Sequence, residues 1–156
     1  MKKKLKWISG ALGVTFALLQ FTNPPRTNPP VAHDLMAASA PPPEIAAMLH
    51  AACYDCHSGE TKWPWYSRVA PMSWLIADDV NEGRTNLNLS DWPFDKPDRA
   101  ARRLEDMSEQ IGYGEMPPKK YTAIHAGARF TENRRKELTD WLDSEAGRLK
   151  SLPKEK

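Results

Sequence analysis

Cys53-Tyr54-Asp55-Cys56-His57 decides how the rest of the chain is read. Two cysteines separated by two residues and followed at once by histidine form the attachment pattern of c-type haem. The spacing has a chemical reason. Thiols one helical turn apart can each add to a vinyl group on the porphyrin edge, and the adjoining histidine then falls beneath the iron. No other cysteine occurs in the 156 residues, so none is left for a disulfide framework. A thioredoxin-like redox pair wants a strand directly before the motif, where this sequence reads as helix. A structural zinc site wants about four ligands, and beyond the motif only His33, His50 and His125 remain, none in a second knuckle. The expected cofactor is one covalent haem c, with thioethers on Cys53 and Cys56 and with His57 as proximal iron ligand.

Moving toward the N-terminus, Ile45, Met48, Leu49 and Ala52 recur at helical spacing. They predict a helix from just after Pro43 whose last turn delivers Cys53. His50 lies off that stripe and reads as solvent-facing. Residues 23–43 contain seven prolines, which fix φ and remove hydrogen-bond donors. An extended, semi-rigid linker is expected, holding the domain off a membrane surface. Ahead of it, Met1-Lys2-Lys3-Lys4-Leu5-Lys6 is a basic leader to the apolar run Trp7 to Phe21. The run is near the lower limit of about 17 residues for a span, and Thr22-Asn23-Pro24-Pro25 offers no small-x-small cleavage pattern. Ala38-Ser39-Ala40 does, but Pro41 follows it. A retained inner-membrane anchor is therefore expected, lysines cytoplasmic and haem domain periplasmic; the alternative is a cleaved signal and a soluble periplasmic protein. The division is 1–22 signal or anchor, 23–43 linker and 44–150 haem-binding domain.

Toward the C-terminus, Trp63-Pro64-Trp65-Tyr66 reads as an aromatic loop, with Trp63 and Trp65 expected against the porphyrin or in ordinary core. A helix should follow Pro71 and stop at Gly83. Another should be capped by Asp98, carry Leu104, Met107 and Ile111, and end at Gly112. Gly114-Glu115-Met116-Pro117-Pro118 holds a methionine on a proline-stiffened loop, well placed to offer its thioether to iron. Met116 is the expected sixth ligand, because Met/His ligation raises the potential of c-type cytochromes; His125 is the runner-up. Met48, Met72 and Met107 read as packing. A last helix should start at Thr131 and bury Leu138, Trp141, Leu142 and Leu149. No alternating β-branched run occurs, so the fold should be all-α. Charge is nearly balanced, 22 Lys+Arg against 20 Asp+Glu, which leaves no basic surface for nucleic acid.

With these residues in place the chain resembles the haem-binding domain family of small bacterial c-type cytochromes. The resemblance rests on Cys53 to Tyr66, on Ala70-Pro71-Met72-Ser73-Trp74, on Asp79-Val80-Asn81-Glu82-Gly83-Arg84, and on Gly114 to Pro118. It implies a cytochrome c-like helical fold around one haem. Two function classes follow. One is an electron carrier serving redox partner proteins near the membrane, with no catalytic residue; the other is a haem enzyme or sensor, peroxidase-like, with a vacant or labile distal position. No distal His/Arg pair is legible, which favours the carrier.

Overall fold

Apolar residues at helical spacing place Ala100, Ala101, Leu104, Met107 and Ile111 along one side of a helix and Leu138, Leu142 and Ala146 along another. The two sides close on each other as the main packing of the molecule. The computed structural model describes residues 2–153, so Met1 of the expected leader lies outside the described residues. Among the described residues there are eight α-helices and no strand: α1 Lys2–Leu19, α2 Leu35–Ser39, α3 Pro43–Ala52, α4 Tyr54–His57, α5 Met72–Asn86, α6 Pro97–Gly112, α7 Lys119–Ile124 and α8 Glu132–Lys150. The all-α expectation holds. α3 adds Ile45, Met48 and Leu49 to the α6–α8 core, and Trp92 and Leu89 close it from the α5–α6 connection.

Helix ends follow local chemistry. Pro43 opens α3 at a position where its missing N–H costs nothing. The Thr131 hydroxyl caps α8 by accepting from the Arg134 N–H at 3.3 Å. Asp98 is not the cap of α6: Pro97 starts that helix, and Asp98 sits in its first turn, where a carboxylate meets the positive end of the helix dipole. α5 likewise runs past Gly83 to Asn86.

Residues 23–43 depart from the expected spacer. They form a strap laid along the domain. Ala32 and His33 donate to the Ser90 carbonyl at 3.0 and 3.2 Å, Leu35 to that of Leu89 at 2.9 Å, and Trp92 back to that of His33 at 2.8 Å. Leu35 is fully buried in the core. Pro29 passes so close to Gly59 that any side chain there would collide with its carbonyl. Proline gives a segment stiffness but does not stop its remaining N–H groups, or the side chains of Leu35 and Met36, from finding partners.

Candidate functional site

The haem motif is built where α3 breaks. At Cys53 the backbone leaves the helix, and α4 makes a single turn closed by Cys56 N–H and His57 N–H donating to the Cys53 carbonyl at 3.2 and 2.9 Å. This puts Cys53, Cys56 and His57 on one wall. His57 Nδ1 lies 2.9 Å from the Gly83 carbonyl and 3.0 Å from that of Leu87, both at the C-terminal end of α5. Carbonyls only accept, so Nδ1 carries the proton and Nε2 is the nitrogen left to bind metal. α5 comes that close because residue 83 has no side chain: a Cβ there would stand 2.6 Å from the Cys56 carbonyl oxygen. Gly83, expected as a helix stop, is instead the contact point between α4 and α5.

That wall faces a cavity of about 770 Å³. Met107 and Ile111 of α6, Phe130 and Tyr121 supply apolar surface, and Met116, Pro117 and Pro118 reach it from the loop after α6. The Glu115 and Met116 N–H groups both donate to the Gln110 carbonyl, at 3.0 and 3.2 Å, tying this loop to the helix end. Arg99, Arg102, Arg103 and Lys120 line the opening together with Asp79, Glu82 and Asp106. Two thiols, an imidazole with a prescribed tautomer, a thioether, apolar walls and guanidinium groups suited to porphyrin carboxylates form a donor set that fits haem.

Residues 14–144 match the haem-binding domain family. The chain belongs to that family. Haem is accordingly its cofactor. Over 98 residues this haem-binding domain is also 26% identical to cytochrome c peroxidase Ccp of Escherichia coli (strain K12), across 58% of this chain and 20% of that protein. It thus spans about a fifth of that relative's length. No solved structure matches it.

The other expected residues of the haem-binding domain fall outside the cavity. His125 stacks on Tyr121 with centroids 4.0 Å apart, its Nδ1 lies 3.0 Å from the Tyr121 carbonyl and its Nε2 3.4 Å from the Tyr66 hydroxyl. Trp63 donates its indole N–H to Asn28 Oδ1 of the strap at 3.1 Å. Trp65 is 76% exposed and meets only the edge of Tyr66. The aromatic surface toward the cavity comes from Tyr121 and Phe130. Tyr121 is fixed by its hydroxyl, which donates to Asp55 Oδ2 at 2.8 Å. Its ionisation is pushed up, by burial first and then by that bond.

Burial pushes the Cys53 thiol up to about 12, with Cys56 adding to it. Burial, then Asp79 and Asp55, push Cys56 up to about 11. Neither is a thiolate at neutral pH, unlike the activated cysteine of a dithiol oxidoreductase.

Arg84 was not singled out from the sequence, yet it holds the motif in place. It donates to the Ser58 carbonyl at 2.7 Å and Thr61 Oγ1 at 2.8 Å, and on the strap to the Thr27 carbonyl at 2.9 Å and Asn28 Oδ1 at 3.1 Å. Its position directly after Gly83, in a segment already matched to the family, was the available signal.

Proposed function

We propose that this haem-binding domain is a monohaem c-type cytochrome that carries electrons beside a membrane. The supporting observation is that Cys53, Cys56 and His57 of the α4 motif and Met116, about sixty residues downstream in the loop after α6, all line one cavity. Bound there, haem supplies an iron that takes up and returns one electron. The chain does the rest. Cys53 and Cys56 would hold the porphyrin edge, the Gly83 and Leu87 carbonyls fix the His57 tautomer so that Nε2 is left for metal, and a Met116 thioether on the iron would favour the reduced state. Met107, Ile111, Tyr121 and Phe130 give the porphyrin apolar surface to pack against. α1, apolar and with none of its residues buried against the domain, fits a retained anchor with Lys2, Lys3, Lys4 and Lys6 on the cytoplasmic side.

A second reading has two observations behind it. The sequence similarity to a cytochrome c peroxidase, with Met116 36% exposed at the cavity mouth, fits a domain that reduces peroxide once this thioether is displaced. The ferric optical spectrum separates the two. The carrier predicts a far-red sulfur-to-iron band and little reaction with peroxide or carbon monoxide. Met116→Ala should abolish the band, lower the potential and admit external ligands. A wild-type protein that is already high-spin and consumes peroxide would establish the second reading instead. Haem that extracts into acidified acetone from the intact protein would disprove thioether attachment.

A further inference from the structure

The end of α1 is bolted to the haem domain. Gln20 Oε1 accepts from the Ala70 N–H at 2.9 Å, and Asn23 Nδ2 donates to the Arg68 carbonyl at 3.2 Å. The Trp74 indole N–H donates to the Thr22 carbonyl at 3.2 Å, and the Ser73 hydroxyl donates to Asn23 Oδ1. These bonds join residues 20–23 to residues 68–74 without slack. Whatever medium surrounds the last turn of α1 must therefore also reach the face that carries the start of α5.

That face is apolar and open. Phe21 is 88% exposed, Leu75 59%, Met72 46% and Trp74 36%. The first turn of a water-facing helix is ordinarily polar, since its N–H groups want acceptors. Here Pro71, Met72, Trp74 and Leu75 occupy it, with the exposed cation of Arg68 beside them. Large apolar side chains, an indole whose N–H is already satisfied and a neighbouring arginine make the composition of a membrane–water boundary.

We propose that this face is seated in the lipid headgroup layer into which α1 inserts. Phe21, Met72, Trp74 and Leu75 enter the acyl boundary, and Arg68 meets lipid phosphate. The inference rests on reading α1 as a retained anchor. Its functional content is position. Gly83, whose carbonyl orients His57, lies eleven residues beyond Met72 on the same helix, which at 1.5 Å per residue is about 16 Å. The haem site is thereby held within that distance along α5 from the lipid face, instead of sampling the reach of a flexible tether.

The test uses the full-length, haem-loaded chain in nanodiscs of phosphatidylcholine and phosphatidylglycerol. A nitroxide is placed at Leu75→Cys or, as a control, at the exposed Glu137→Cys of α8, which packs on α3 and α6. Wild-type protein treated in parallel shows that Cys53 and Cys56 take no label. Power saturation compares oxygen, which concentrates in lipid, with a water-soluble nickel chelate, each against a nitrogen baseline that subtracts relaxation by the haem iron. The label at 75 should favour oxygen over the chelate severalfold more than the label at 137. Equal ratios, in a chain whose intact mass shows α1 retained, overturn this seating alone. An intact mass lacking α1 ends both the anchor reading and the seating.

Discussion

Placing alanine at position 83 tests how the proximal side of the site is built. The added Cβ would meet the Cys56 carbonyl oxygen at 2.6 Å, its carbon at 3.1 Å and the Cys56 Cβ at 3.3 Å. Two of these are backbone atoms and cannot swing aside, so α4 and α5 must part. Overpacking of this kind costs about 1–3 kcal/mol, while alanine in place of glycine in a helix returns roughly 0.5–1 kcal/mol. Gly83→Ala should be destabilising by up to about 2.5 kcal/mol net. Gly147 of α8 is the control, since nothing lies within 4 Å of its would-be Cβ. There only the propensity gain applies, and Gly147→Ala should stabilise by roughly 0.5–1 kcal/mol. Urea unfolding of the two haem-loaded variants should move the midpoint in opposite directions. With a slope of about 1–3 kcal/mol/M, the separation is measurable. Parting the helices also lengthens the 2.9 Å contact from His57 Nδ1 to the Gly83 carbonyl, so the ferric electron paramagnetic resonance g-values should change in Gly83→Ala and stay fixed in Gly147→Ala. Equal midpoints for the two variants, or an unchanged resonance in Gly83→Ala, would refute this account of the α4–α5 contact.

Leu35→Ala separates a strap from a spacer. A fully buried leucine costs about 2–5 kcal/mol when truncated, whereas a residue in a loose linker costs almost nothing, and thermal melting of the haem-loaded protein reads the difference. Glu145 gives a pH test. Arg148 donates to both its oxygens, at 2.6 and 2.7 Å, and holds the carboxyl below its usual range. A lowered folded-state pKa stabilises above the unfolded value and is lost as pH falls through the folded one. Since Arg148 is half-exposed, Glu145→Gln should cost only about 0.5–1 kcal/mol at pH 7, and its midpoint should converge on wild type as the pH drops below about 4.

The helices and the motif residues that line the cavity were legible because their signals are local. Helical spacing marked α3, α6 and α8, and Cys53-Tyr54-Asp55-Cys56-His57 marked one wall of the cavity. What escaped was set by tertiary contacts. Gly83 carries the same letter whether it ends a helix or lets a neighbouring carbonyl approach, and only the position of α4 distinguishes the two. Arg84 stands in a family-matched segment, but its role was hidden because its four acceptors come from residues 27, 28, 58 and 61, which only the fold brings together. Trp63 and Trp65 lie close to the motif in sequence, yet the chain turns away, and Tyr121 and Phe130 from more than sixty residues downstream face the cavity. The strap was misread because proline content speaks to stiffness, and docking was decided by Leu35 and a handful of backbone N–H groups.

The high thiol pKa values and the size of the cavity bear together on biogenesis. On the proposed reading, thioether formation needs a nucleophilic sulfur. In the folded chain, values of about 12 for Cys53 and about 11 for Cys56 leave almost none at neutral pH. A chain that folded first would also line a half-open cleft of about 770 Å³ without its largest apolar occupant, leaving the apolar side chains on its walls short of packing partners. Attachment and folding are then not independent steps. On that reading the porphyrin would join the chain before α6, the Met116 loop and the strap close around the site, and folding would complete only in protein that had received its haem.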